Sequence, residues 1–335
     1  MIMNKLMKML VIALLFTSMC ACSSDDVANV HSSQVENSWV QLSFFQSSME
    51  KYEGDVSQAK SAHLSDDGER SLLTRADDDV TKGATIANLK ACFSRLDIEV
   101  IPVGQANAKT YVFHQKNSDE DFGKLSLRLP IGDYQIVAVA SNATEQVDIT
   151  SSSLVTFPGD FPTDMAYVYK EFSVKSGANT VSCDMKRSVS KLSFVSTDYI
   201  TSDISKIELV YVGKISNSLN PSTGLAVLGD VETKTMTKTY SFTDANRPTK
   251  DVSLNSFFLL PSESVTIQTD IKIYNTKGSV IKSLHFDEVT LKRNHATTYT
   301  GPMFTSGSAF EFVFANEILT SAGADKTFDD AGNVN

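Results

Sequence analysis

The sequence predicts an all-β protein built of two tandem β-sandwich domains. Three observations carry this. Short runs that alternate apolar and polar residues recur along most of the 335 residues, and a period of two is the mark of a strand with one buried face. Turn residues separate the runs at spacings of about 8–15 residues, the rhythm of a sandwich. No apolar stripe of helical period appears at any length. The chain is too long for one sandwich, so two domains fit.

The first domain is expected over residues 38–187. Trp39–Gln46 alternates, with Val40, Leu42 and Phe44 on one face. Residues 47–83 are polar, with acidic clusters at Asp66-Asp67 and Asp77-Asp78-Asp79, and read as a long mobile loop. Strands follow at Leu96–Val100, Tyr111–His114 and Leu125–Leu129, then the turn Pro130-Ile131-Gly132-Asp133. Tyr134–Ala140 is continuously apolar, which predicts a central strand buried on both faces. Ala166–Val174 and Thr180–Met185 complete the set.

The second domain is expected over residues 188–335. Its strands are Lys191–Val195, Ile207–Val212, Met236–Phe242, Val252–Leu260, Val265–Tyr274, Val280–Phe286, Val289–Leu291 and Thr297–Thr300. A last alternating run, Phe310-Phe312-Phe314, precedes a polar tail. An exposed aromatic strand is a sticky edge. It is therefore either paired within its own domain or open to a partner.

The N-terminus has the parts of an export signal. Lys5 and Lys8 precede an apolar core, Met9–Phe16, too short to cross a hydrocarbon layer of about 30 Å. Ala21-Cys22 follows, a small residue before a cysteine, as in a bacterial lipoprotein signal. Residues 1–21 are thus the expected signal peptide, Cys22 the lipidated residue, and 22–37 a flexible tether. Cys20 is a weaker candidate because bulky Met19 precedes it. Ser23-Ser24-Asp25-Asp26 resembles the serine-acidic tag of lipoproteins sent to the surface of Bacteroidales-type outer membranes. Two or more acyl chains anchor stably, so the outer membrane, held through the lipid, is the first expected partner.

Removing residues 1–21, which hold Lys5 and Lys8 and no acid, takes the net charge from −10 to −12. Such a chain repels nucleic acid phosphates, and no nucleic acid partner is expected. Cys92 and Cys183 remain past the anchor; they could pair in an oxidising compartment. Cys183 also alternates with Val181 and Met185 on one strand face, which fits a buried free thiol equally well.

No cofactor, metal or catalytic residue is expected. Nucleophile-elbow, P-loop and dinucleotide motifs are absent, and the histidines and cysteines lack zinc spacing. Asp77-Asp78-Asp79 lacks the alternation and glycine of a calcium loop. Arg95, Asp97 and Glu99 read as strand-surface charges. Tyr167 and Tyr169 read as edge packing, with sugar stacking as the sharper alternative.

Several segments, in this order, resemble the fimbrillin superfamily, specifically the FimB-like anchor and accessory branch of Bacteroidales type V fimbrial subunits. They are Leu42–Gln46 (LSFFQ), Leu72–Ala76 (LLTRA), Cys92–Val100 (CFSRLDIEV) and Asp121–Asn142 (DFGKLSLRLPIGDYQIVAVASN). Phe157, Tyr167–Tyr169, Arg187–Phe194 (RSVSKLSF) and Val289–Phe304 (VTLKRNHATTYTGPMF) extend the match. The resemblance implies two transthyretin-like β-sandwich domains in a surface protein that builds or anchors fimbriae used for adhesion. It implies other fimbrial subunits as partners, with host or bacterial surface receptors as further candidates.

The resemblance further implies assembly by β-strand addition, in which a ladder of main-chain hydrogen bonds and alternate side chains joins one chain to the next. In stalk subunits an Arg-specific protease removes an N-terminal strand and opens the groove. In this chain the matching positions are Arg75 and Ala76 for the cut, Val40, Leu42 and Phe44 for the strand removed, and Phe310, Phe312 and Phe314 for a donor strand. An anchor keeps its lipidated Cys22, so Arg75 stays uncut. A non-polymerising adhesin or glycan-binding lipoprotein is the alternative.

Overall fold

Among the described residues, alternation resolves into twenty strands and one short helix. The structure, a computed structural model, describes residues 36–46, 89–105, 108–230, 232–244, 252–305 and 313–318. The first half holds β1 (Asn37–Phe45), α1 (Leu89–Cys92), β2 (Arg95–Pro102), β3 (Tyr111–Lys116), β4 (Lys124–Pro130) and β5 (Gly132–Ser141). It continues through β6 (Asp148–Ser151), β7 (Leu154–Thr156), β8 (Met165–Val174), β9 (Asn179–Asp184) and β10 (Lys186–Arg187). The second half holds β11 (Ser190–Ser196), β12 (Ile204–Gly213), β13 (Ser218–Asn220), β14 (Leu225–Ala226) and β15 (Lys234–Ser241). Then come β16 (Ser253–Phe258), β17 (Ser264–Asn275), β18 (Val280–Lys292), β19 (His295–Gly301) and β20 (Val313–Ile318).

In the first half, the sheet β4-β1-β9 faces the sheet β10-β8-β5-β2-β3. Between them lies a core that includes Val40, Leu42, Leu96, Ile98, Leu129 and Ile136. In the second half, β16-β11-β19-β20 faces β15-β12-β17-β18, around a core that includes Phe194, Leu209, Tyr211, Phe258, Ile271 and Leu291. Both halves are therefore β-sandwiches, as the alternation predicts.

The two sandwiches repeat one topology. β1 lies between antiparallel β4 and parallel β9; β11 lies between antiparallel β16 and parallel β19. The opposite sheets run β3-β2-β5-β8 and β15-β12-β17-β18. Seven strands thus correspond in unbroken chain order. Each half then carries its own insert, β6–β7 after β5 and β13–β14 after β12.

The inserts meet. They form a sheet of order β14-β13-β7-β6 shared by both halves, with Ser218 opposite Thr156 and Leu219 opposite Val155. Val137 and Val139 of β5 point into this layer and pack with Phe157, Leu219 and Leu259. Tyr134, Ile136, Ala138 and Ala140 point the other way, into the first core. The continuous apolar run is buried on both faces because two different layers claim its alternate residues.

Two details depart from the sequence reading. Val280–Phe286 and Val289–Leu291 are one strand, β18, whose ladder with β17 shifts register between Ile267 and Thr269. A bulge carries pairing across Asp287-Glu288, where the alternation is interrupted. Arg95 and Asp97 are not surface charges. Asp97 is 0% exposed, because the outer face of β2 is covered by the stretch that leads into β6. Its carboxylate accepts Arg95 Nε at 3.3 Å, Arg95 Nη2 at 3.2 Å and the Val147 amide at 3.2 Å. His114 Nδ1 lies 2.8 Å from it.

Candidate functional site: the central strand β1

The strand singled out by the sequence occupies the middle of its sheet. Its seven-pair antiparallel ladder to β4 runs from Asn37↔Pro130 to Ser43↔Lys124. Its parallel ladder to β9 runs from Val40↔Asn179 to Phe45↔Asp184. Val40, Leu42 and Phe44 are buried together on one face, so the strand contributes both main-chain pairing and core. Each such side chain stabilises by about 1.5–3 kcal/mol on burial. The other face is open: Trp39 is 58% exposed, with the Arg128 guanidinium 5.8 Å from its ring centre.

Both ends of β1 are fastened. Ile131 N donates to Glu36 O at 3.0 Å, Phe44 N to Gly123 O at 2.8 Å and Met185 N to Phe45 O at 2.7 Å. The turn before β4 is shaped for this. Gly123 has φ +83°, and a Cβ there would meet Phe44 O at 3.3 Å, which explains a glycine in this turn. Gln115 fixes the same turn: its Nε2 donates to Lys124 O at 2.7 Å and its Oε1 accepts Gly123 N at 2.9 Å. Tyr134 OH donates to Pro130 O at 2.8 Å. β4, with the turns at its two ends, thus builds one wall of the slot in which β1 lies.

The other wall is β9, where Cys183 stands opposite Phe44. Cys183 and Cys92 are not joined in a disulfide. Burial pushes the Cys183 thiol up to about 11, which keeps it protonated and inert.

The structure brings Val40, Leu42 and Phe44 onto one face. Phe314 lies on β20 in the other sandwich, with its backbone opposite Tyr299. Cys22, Arg75, Ala76, Phe310 and Phe312 lie outside the described residues, as do residues 47–83 and the tether up to Val35.

Sequence reasoning missed the device that fixes the approach to β20. Asp198 accepts the amides of Met303, Phe304 and Thr305 at 2.8, 2.8 and 2.6 Å. Lys282 Nζ donates to Thr305 O at 2.9 Å. The available signal was local: Ser196 and Asp198 are two residues apart, the spacing of a side chain that bonds its own turn. Tyr167 is buried against the shared sheet, while Tyr169 is half-exposed. Among the described residues, no group of three or more His, Cys, Asp or Glu is placed to hold a metal ion.

Residues 69–331 match the model of a family described as a family of unknown function, DUF6562. No curated protein sequence matches the chain. Among solved structures, similarity extends to the fimbrial anchor protein Mfa2 of Porphyromonas gingivalis, 10% identical, over 84% of this chain and 97% of that one, with a TM-score of 0.40. A candidate adhesin of Bacteroides ovatus is 10% identical over 85% of this chain and 96% of its own, with a TM-score of 0.45. A candidate polysaccharide-binding protein (DUF1812) of Bacteroides thetaiotaomicron is 12% identical over 69% and 92%, with a TM-score of 0.42.

Proposed function

The chain belongs to the DUF6562 family, and from that premise we propose that it is a surface lipoprotein serving as an anchor or accessory subunit of type V fimbriae. It joins other subunits by β-strand addition and supports adhesion. The observation that carries this is the position of β1. A strand held by two ladders in mid-sheet, when withdrawn, leaves two facing open edges, on β4 and β9, and apolar positions vacated by Val40, Leu42 and Phe44. That is the acceptor geometry of strand addition. A contact of this kind between different surfaces does not close on itself and builds a filament.

The sequence resemblance supplies the rest of the reading. Cys22 carries the lipid, and Arg75 lies between β1 and α1 in chain order. Cleavage there would separate β1 and the lipid from both sandwiches. An anchor retains both, with Arg75 intact, and stands at the base of the fibre. A stalk subunit loses both.

The test is to recover the chain from its native membrane together with the fimbrial subunits of the same cell. An anchor is expected to retain Cys22, to carry label from palmitate, and to co-purify with a subunit. A fragment beginning at Ala76 would move the role to the stalk. Monomers alone, under every condition of subunit mixing, would favour the adhesin that never polymerises.

A further inference from the structure

One end of the first sandwich gathers exposed apolar side chains. Trp39 near the start of β1 is 58% exposed, Ile131 in the turn from β4 to β5 is 41% exposed, and Val103 just after β2 is 42% exposed. Strand order puts all three at the same end. The β1–β4 ladder closes there at Asn37↔Pro130. Ile131 N donates to Glu36 O at 3.0 Å, and Val103 N donates to Asp133 O at 2.8 Å. β9 runs parallel to β1 and leads, from its far end, through β10 into β11. The end that carries Trp39 is therefore opposite the link to the second sandwich.

It is also the end at which the N-terminal segment enters. Residues Cys22 to Val35 number 14, and a chain of that length spans at most about 50 Å. However it is arranged, Glu36 stays within that reach of a lipid on Cys22. The nearby charges suit a headgroup layer. The Arg128 guanidinium lies 5.8 Å from the Trp39 ring centre, and exposed Lys109 and Lys175 lie in the loops at this end. The acids there, Glu36 and Asp133, accept Ser176 Oγ at 2.7 Å and Ser173 Oγ at 2.6 Å. Bases thus outnumber acids at this end, although the chain past residue 21 carries a net charge of −12.

We propose that this end of the first sandwich rests on the membrane surface that holds the lipid of Cys22. Tryptophan suits that depth, because its ring is apolar and its indole N–H is polar. Ile131 and Val103 add apolar area beside it. Arginine lays its apolar stem along such a surface and keeps its guanidinium among the phosphates. Each of these contacts is weak alone, but a tether makes them intramolecular and so raises their occupancy. The second sandwich is then the part held away from the lipid. Seating of this kind rests on lipidation of Cys22, proposed above, and adds which end of the protein meets the membrane.

Trp39 is the sole tryptophan of the chain, so its fluorescence reads the contact directly. The experiment uses the chain from residue 22 onward with Cys22→Ala and an N-terminal polyhistidine tag. The tag holds it on phosphatidylcholine vesicles that contain a nickel-chelating lipid. Because the tag replaces the native lipid, the contact is tested whether or not Cys22 is acylated in the cell. Tethering is expected to shift Trp39 emission to the blue. Brominated acyl chains are expected to quench it, relative to vesicles of equal nickel content without bromine. Imidazole, which releases the tag, should reverse both effects. Val103→Ser with Ile131→Ser is expected to remove most of the quenching with unchanged thermal unfolding, because both side chains are exposed. Emission that keeps its value in water on tethering, or full quenching in the double variant, would overturn the proposal. Native protein without palmitate label at Cys22 would instead overturn lipidation, and is read in a separate measurement.

Discussion

Thr305 is tied twice to Asp198 across 107 residues of sequence: its amide and its Oγ1 both donate to Asp198 Oδ2, at 2.6 and 2.8 Å. The pair locks the chain leaving β19 onto the end of β11. Burial acts to raise the Asp198 pKa, but hydrogen bonds from Ser196, Thr305 and Met303 outweigh it and hold the value at about 2. A carboxyl depressed on folding stabilises the folded state above its unfolded value of about 3.9, and that contribution is lost as pH falls towards 2. Asp198→Asn is expected to cost about 1 kcal/mol at neutral pH, after allowance for solvent screening. The difference from wild type should vanish in denaturant titrations near pH 2.

Leu42 tests whether β1 is part of the folded core or a detachable strap. It is buried at the centre of both ladders. Leu42→Ala is expected to destabilise by about 2–5 kcal/mol through lost burial and a cavity. Trp39→Ala, on the exposed face three residues earlier, should stay within about 0.5–1 kcal/mol. Similar small effects at both sites in urea unfolding would mean that β1 contributes little to the sandwich.

Asp97 is a buried charge with two cationic candidates beside it, Arg95 and His114. Removing one member of a buried pair strands the other. Asp97→Ala is expected to cost about 3–5 kcal/mol, read as a lower urea midpoint at unchanged slope. Asp97→Asn should cost less, because an amide oxygen still accepts from Val147 and Arg95.

These sites mark where sequence reasoning reached and where it stopped. The main strands were legible because one face of each is buried, and Val40-Leu42-Phe44 shows it in five letters. The double burial of Tyr134–Ala140 was legible from its lack of alternation. The inserts were not. Ser218–Asn220 and Leu154–Thr156 are only three residues each, too short for a period, and they are strands because they pair with each other across the two halves. Asp97 misled for a related reason. Charge alternation reads the same whether the outer face meets water or another layer. The shared topology of the halves is also silent in sequence, since strand order fixes which positions are buried and leaves their identity free.

His285 lies on an exposed face of β18 between two acids, with Nδ1 2.5 Å from Asp270 and Nε2 2.7 Å from Asp287. Hydrogen bonds to Asp270 and then Asp287 raise its pKa. A histidine raised on folding stabilises fully below its unfolded value of about 6.5, and that contribution is lost as pH rises through the folded value. The imidazole should titrate above 6.5 by NMR, and Asp270→Asn with Asp287→Asn should return it to the ordinary value. An unshifted wild-type imidazole would show that the two acids do not hold it.

The shared sheet makes a claim about cooperativity. Phe157 is buried in the layer between the halves; its amide donates to Asn217 O at 2.9 Å, and Asn217 Nδ2 returns to Phe157 O at 3.2 Å. Phe161 from the same segment packs edge-on to Tyr211 and Phe258 of the second core. Each sandwich has its own core, so what couples them is this layer. Phe157→Ala is expected to cost about 3–5 kcal/mol, but the informative readout is the shape of the transition. Wild type should melt in one calorimetric step, with calorimetric and van't Hoff enthalpies equal. The variant should melt in two, because removing the ring weakens the coupling while leaving both cores packed. A single, merely lower transition would mean that the remaining contacts across the layer suffice to hold the halves as one cooperative unit.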